Sequence, residues 1–308
     1  WDDDRLTQAP EPGAWLCKYS WGASWSGDGY FWVSYHDKHA AKNPEMGAVS
    51  FQNVSRAFQH TTYAHDDHGW CAEEPYRNAI NAFTASGDEA LAAVSFYTTA
   101  DDVDATVRVY DRFENGELLD LRAETTTSAA HTGLHTIDLP DLVSLTEGDD
   151  FYIELELTAG GLAIDCTVEK TVLMNEEVGG YVVVSEAGPG ESFVSTDGAS
   201  WDDLYDVYAD RSANACIKGL SILQGDFNLD GAVNGLDIPA FKEALADPDG
   251  WETASGLRAD WFGDFTLDGA MNGLDIPGFK SRLEGAAVPE PTAIVPAVLF
   301  LLGLRRRR

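Results

Sequence analysis

Two near-identical segments, GDFNLDGAVNGLDIPAFKEAL from Gly225 and GDFTLDGAMNGLDIPGFKSRL from Gly263, constrain this chain more than any other feature. Asp264 follows Asp226 by 38 residues and the copies agree at nearly every position, which marks a true internal repeat. Each copy spaces oxygen-bearing groups as a calcium loop does. Asp226, Asn228 and Asp230 stand at positions 1, 3 and 5, the Ala232 carbonyl at 7, Asn234 at 9 and Asp237 at 12. The second copy offers Asp264, Thr266, Asp268, Ala270, Asn272 and Asp275. Gly231 and Gly269 fall at position 6, where the chain turns sharply to wrap its own oxygens around one ion. Two calcium ions are expected, since magnesium dehydrates reluctantly. Position 12 is Asp rather than the longer Glu, and Thr266 supplies only a neutral hydroxyl, so the second loop is expected to bind more weakly.

One short helix is expected after each loop, with Pro239 or Pro277 in its first turn, where a missing N–H costs nothing. Ile238, Phe241 and Leu245, and likewise Ile276, Phe279 and Leu283, make an apolar stripe at helical spacing. A loop and one helix, twice, without the incoming helix of an EF-hand, resembles a type I dockerin over residues 224–285. The resemblance implies a cohesin-like partner. The positions that help choose it, 10 and 11 of each loop, are here Gly235, Leu236, Gly273 and Leu274 rather than hydroxyl pairs.

The chain has 308 residues, room for two or three domains, and 44% apolar residues suffice for packed cores. Twenty Lys and Arg against 52 Asp and Glu give a net charge of −32, which repels nucleic acid and favours cations. Cys17, Cys71, Cys166 and Cys216 form no C-x-x-C pair; three disulfide connectivities and buried thiols all remain open. His60, His65 and His68, with Asp66 and Asp67, fit no helix-face spacing and read as solvated loop groups rather than a zinc site.

Residues 15–20 and 30–35 are aromatic-rich runs joined by a Gly/Ser/Asp turn, a β-hairpin that needs a larger domain to cover it. Trp15, Lys18, Ser20, Trp21, Gly22, Trp25, Gly29 and Tyr30 match a pattern close to W-x-x-K-N-S-W-G-x-x-W-G-x-x-G-Y. Residues 1–58 thereby resemble the end of a papain-family cysteine peptidase domain, and Trp1 with Asp2, Asp3 and Asp4 resembles the segment after the catalytic His. The resemblance implies that nucleophile and base lie before Trp1, that the sequence is a fragment or processed form, and that by itself it is inactive. Tyr19 stands where the family places the Asn that orients the imidazole, a contact a phenol does not reproduce; Trp21 matches the family's shielding Trp.

Residues 59–80 read as a linker. Residues 81–223 alternate in the strand manner in LAAVSFYTT, ATVRVYDRF, HTIDLP, DFYIELEL, GGYVVVSE, ESFVSTDG and ACIKGLSIL, separated by turns such as Glu114-Asn115-Gly116. This predicts a β-sandwich. The order of these segments resembles the lectin-like domain that follows some bacterial papain-type catalytic domains, and implies a glycan or protein ligand. Trp201, Asp202, Asp203 and Tyr205 are candidate sugar contacts, though closing the sandwich is the favoured role for Trp201.

Residues 286–308 end in an apolar run, 292–304, then four arginines. The run is shorter than the roughly 20 residues of a spanning helix, and the basic end holds it as a stop. With Val288, Pro289, Glu290 and Pro291 it resembles a PEP-CTERM signal, which implies an exosortase, export and a cell-surface or extracellular site. The expected fold class is therefore mainly β: a papain-like hairpin remnant, a lectin-like sandwich, a small helical calcium-binding dockerin and a short C-terminal hydrophobic helix.

Overall fold

The computed structural model describes residues 1–38 apart from 19, 21 and 23–27, then residues 51, 59–171, 180–210 and 212–285. Tyr19, Trp21 and the whole sorting tail lie outside the described residues. The chain divides into two compact units, Trp1–Ser55 with Thr171–Gly179, and Arg56–Lys170 with Gly180–Arg308.

In the first unit β1 (Ala14–Lys18) pairs antiparallel with β2 (Tyr30–Ser34), as the two aromatic runs predict. Gly13 makes the corner: its φ is 112°, and a Cβ there would lie 2.4 Å from the Tyr35 ring. Tyr35 in turn meets Trp15 at 4.6 Å between ring centres and donates its hydroxyl to Asp3, while Arg5 covers Trp32.

The second unit begins with β3 (Thr62–Tyr63), β4 (Ala72–Glu74), β5 (Asn78–Thr84), β6 (Glu89–Thr98), β7 (Val103–Glu114) and β8 (Glu117–Ala129). It continues through β9 (Gly133–Leu145), β10 (Asp150–Leu157), β11 (Leu162–Asp165), β12 (Val168–Thr171), β13 (Gly180–Val183), β14 (Ser192–Ser195) and β15 (Asp202–Asp203). After α1 (Leu204–Val207) come β16 (Asn214–Ala215) and β17 (Ile217–Ile222). A six-stranded sheet in the order β15-β14-β5-β10-β7-β8 and a four-stranded sheet β3-β17-β6-β9 enclose the core. β16-β11-β4 and β12-β13 form smaller sheets.

Alternation explains β7, whose Val103, Ala105, Val107 and Val109 are buried while Asp104 is exposed. Asn115 and Gly116, both at positive φ, then turn the chain into β8. β6 is buried almost throughout because both of its faces are covered. Leu91, Val94 and Phe96 enter the sandwich core, whereas Ala90 and Ala92 join a second core with the duplicated segment.

The linker expected over residues 59–80 is corrected. β3 pairs with β17, β4 pairs with β11, and β5 starts at Asn78. Strands of two or three residues are too short to show a period, and their partners lie far along the chain.

The duplicated segment contains α2 (Ile238–Ala246), α3 (Pro248–Ser255), α4 (Ala259–Gly263), a 3-10 turn (Gly273–Asp275) and α5 (Ile276–Gly285). The helices after each loop match expectation; α3 and α4, between the copies, are additional. Asp247 caps α3 by accepting from the Gly250 N–H, Pro248 follows it, and Gly256 ends the helix in the left-handed region. Phe241 and Phe279, the same position in the two copies, stack face to face with centres 4.0 Å apart. Phe227 and Phe262 pack around them, and truncating such a ring to Ala costs about 3–5 kcal/mol. No helix among the described residues is long and apolar enough to cross a membrane.

Candidate functional site

The two loops repeat one another's backbone-to-side-chain bonds at positions 1, 5, 9 and 12. Leu229 and Leu267 take positive φ, 62° and 59°, and Gly231 and Gly269 both have φ 85°. In the first loop the buried Asp226 carboxylate accepts from the N–H groups of Asp230 at 3.1 Å and Gly231 at 2.8 Å. Buried Asp237 accepts from Asn228 at 3.1 Å and Asn234 at 2.8 Å. In the second loop Asp264 holds Asp268 and Gly269 at 3.1 and 2.7 Å, and Asp275 holds Thr266 and Asn272 at 3.0 and 2.7 Å. Positions 5 and 9 repeat as well: Asp230 and Asp268 accept from Ala232 and Ala270, while Asn234 and Asn272 accept from Leu236 and Leu274.

Positions 1 and 12 thus fold the loop, which leaves the remaining oxygen lone pairs and positions 3, 5, 7 and 9 for a ligand. Thr266 departs from Asn228 because its hydroxyl donates to Asp275 at 3.0 Å. Each loop carries three carboxylates, and none of them joins an ion pair with Lys, Arg or His among the described residues. Burial pushes the Asp226 carboxyl up; the Gly231 and Asp230 amides oppose this, and repulsion from Asp237 and Asp230 adds to it. No three His, Cys, Asp or Glu side chains among the described residues converge as a metal-holding group, and the position 1 and 12 carboxylates accept from backbone amides. The donor chemistry is nonetheless all oxygen, anionic and uncompensated, a set suited to a hard divalent cation. Leu236 and Leu274 stand exposed at corresponding points of the two copies.

The other residues singled out from sequence take separate places. Asp203 caps α1 by accepting from Tyr205 N–H and also holds Gly190 N–H at 2.8 Å, a structural role, while Asp202 and Asp203 pair with β14. Trp201 is half-buried and Tyr205 exposed. His65 stacks on Phe83 and His68 approaches Asp165, so the histidines serve different partners. The Cys71 thiol donates to Asp165 at 3.4 Å, while Cys166 and Cys216 are buried and burial pushes the Cys216 thiol up.

Sequence reasoning missed a cleft of about 780 Å³ over the end of the six-stranded sheet, lined by His65, Phe113, Asp150, Tyr152, Glu191 and Phe193 among others. Phe113 meets Phe193 edge-on at 4.9 Å and Tyr152 at 5.9 Å. Its residues come from five separate segments, so no local signal could reveal it.

The lectin-like domain family matches residues 62–221, more than half of the chain. The chain belongs to the lectin-like domain family. Its start at residue 62 coincides with β3, in agreement with the pairing of β3 into the four-stranded sheet. Among solved structures, the cysteine protease and lectin-like domains of Cwp84, a surface layer associated protein of Clostridium difficile, align with 73% of this chain at 21% identity and a TM-score of 0.50. Clostridial cysteine protease Cwp84 after propeptide cleavage aligns with 73% at 20% identity, again with a TM-score of 0.50. These likenesses establish a shared fold. The chain spans 50% and 56% of those two solved chains. No curated protein matches it.

Proposed function

We propose that this chain is the C-terminal region of an exported papain-like cysteine peptidase, whose lectin-like domain is followed by a calcium-dependent dockerin and a PEP-CTERM sorting tail. The observation that carries the reading is the order of parts. A hairpin with the W-x-x-K…S-W-G…W…G-Y sequence precedes a lectin-like domain, and the similar solved chains combine a cysteine protease with lectin-like domains. Peptide-bond hydrolysis belongs to the full-length parent. The tail supports exosortase processing and a surface location, and the surface-layer association of Cwp84 agrees with the location. Full-length protein should digest an unfolded protein substrate in a way that a thiol-alkylating reagent abolishes; absent or alkylation-resistant digestion overturns the reading.

Asp226, Asn228, Asp230, Ala232, Asn234 and Asp237 would hold one calcium ion and Asp264, Thr266, Asp268, Ala270, Asn272 and Asp275 another, supported by the duplicated loop geometry and its uncompensated carboxylates. The ion would supply the positive charge that the buried aspartates lack. Asp226 and Asp264 shape each loop through two amides apiece, so their loss would remove both a ligand and the turn. A cohesin-like partner would meet the exposed Leu236 and Leu274.

A second reading is favoured by Tyr19 at the family's Asn position: a non-catalytic surface protein whose sandwich holds a glycan or protein while the dockerin anchors it. Retention of surface glycans by full-length protein that digests no substrate would select it.

A further inference from the structure

We propose that the cleft over the end of the six-stranded sheet binds a saccharide bearing a free amine, an aminohexose unit whose ammonium is read by Asp150 and Glu191. The proposal rests on the glycan-binding reading of the sandwich and names the ligand class and place.

Three features converge there. The first is an aromatic patch. Phe113, Tyr152 and Phe193, from β7, β10 and β14, touch ring to ring and are each only half-buried, so part of their faces and edges is open to the cleft. A sugar's C–H face packs on such rings, and a neighbouring ammonium gains further from their π-faces.

The second feature is charge. Asp150 and Glu191 are the carboxylates lining the cleft and, among the described residues, neither Lys nor Arg lines it; Arg112 and Arg122 line the adjoining pocket that shares Asp150. Asp150 is exposed and is oriented by the Thr84 hydroxyl, which donates to Oδ1 at 2.7 Å. The Glu191 Oε2 accepts from Gly188 N–H at 2.7 Å and from Asn214 Nδ2 at 3.1 Å. Its Oε1 faces His65 Nδ1 at 3.9 Å, beyond hydrogen-bond distance, with the carboxylate one-third exposed. In a chain of net charge −32 this field excludes acidic sugars and phosphates and strengthens the attraction of an amine.

The third is preorganisation. The wall at 189–191 is fixed from two sides: Asp203 holds Gly190 N–H, and Glu191 holds Gly188 N–H. His65 stacks on Phe83 at 4.7 Å and bonds the Ala82 carbonyl at 2.7 Å through Nε2, which seals the end of β5 beneath the cleft. That bond places a proton on Nε2, since the Ala82 carbonyl only accepts. The Thr61 and Thr62 residues on the rim add hydroxyls suited to sugar hydroxyls. A cleft of about 780 Å³ accommodates two to three sugar units.

The test titrates the full chain calorimetrically with a glucosamine trimer, the N-acetylglucosamine trimer and a trilysine peptide. The glucosamine trimer should bind, more weakly as salt rises, and at least about tenfold more tightly than the acetylated trimer. Asp150→Asn and Glu191→Gln, each keeping an oxygen for its internal bonds, should each weaken it several-fold, with thermal unfolding of each variant confirming an intact sandwich. Equal or tighter binding of the acetylated trimer overturns the amine assignment. Saccharide binding untouched by either substitution in folded protein overturns the place while leaving the glycan reading intact. Binding of trilysine without either saccharide, or no binding at all, overturns both.

Discussion

The sandwich and the duplicated helical segment differ in how they treat buried charge: the sandwich pairs two of its buried carboxylates with Lys or Arg, and the duplicated segment pairs none of its own among the described residues. In the sandwich Asp66 pairs with Lys218 and Glu154 with Arg108 at 3.2 Å, while buried Glu89 is held by hydroxyls, those of Tyr63 and Ser221 among them. In the duplicated segment, Asp226, Asp237, Asp264 and Asp275 are buried against N–H and O–H donors with no ion-pair partner among the described residues. Burying a charge without a counter-charge costs several kcal/mol, and that cost is what the two proposed calcium ions would offset in the duplicated segment. The two also share a core, since Ala90, Ala92 and Ile222 of the sandwich pack with Phe227, Phe241, Phe262 and Phe279. The side chains of β6 stay small where the helices approach.

Removing calcium is the strongest way to break the contrast. Chelation should unfold the duplicated segment, seen as proteolytic cleavage between residues 225 and 285, while the fragment carrying β3 to β17 survives; equal susceptibility of both regions would erase the distinction. At a hundredfold excess over its dissociation constant each ion adds about 2.7 kcal/mol. Phe279→Ala comes next, costing the segment about 3–5 kcal/mol by emptying the stacked pair, measured by denaturant unfolding with calcium held saturating. An unaltered midpoint would mean that the two copies do not support each other.

A smaller effect separates the copies themselves. Thr266→Asn gives the second loop the amide oxygen that Asn228 places at position 3 of the first, and should raise its calcium affinity several-fold, an effect read by competition with a chelating dye. Unchanged affinity would show that the Thr266 hydroxyl, which donates to Asp275, already meets the need.

The smallest effect tests the sandwich. Burial, then Glu154, pushes the Tyr110 hydroxyl from 10.0 up to about 12. A value raised on folding contributes stability that is complete below the unfolded value and is lost as pH rises through the folded one. Sandwich stability should therefore decline from pH 10 to about 12, and Tyr110→Phe should flatten that decline; an identical pH profile in the variant would remove Tyr110 from the account.

The sequence made some of these parts readable and hid others for physical reasons. The β7 alternation and the hairpin of β1 and β2 carry their own period and turn residues, so they show locally. The loops show because their Asp, Asn and Gly spacing is contiguous and occurs twice. β3 and β4 were read as linker because their meaning lies in partners such as Leu220 and Ile164, far along the chain. α3 was missed although Asp247, Pro248 and Gly256 mark both ends, because none of its residues is fully buried and no apolar stripe announces it. The cleft was invisible for the same reason as β3: Phe113, Tyr152 and Phe193 meet only after the sheet has ordered its strands.

Calorimetric titration of calcium into the full chain and its Asp226→Ala variant tests the central contrast most directly. The account predicts two ions for the native chain, the tighter site lost in the variant and the weaker one retained. A native chain that binds no calcium, or a variant whose stoichiometry and affinities equal the native ones, would contradict it.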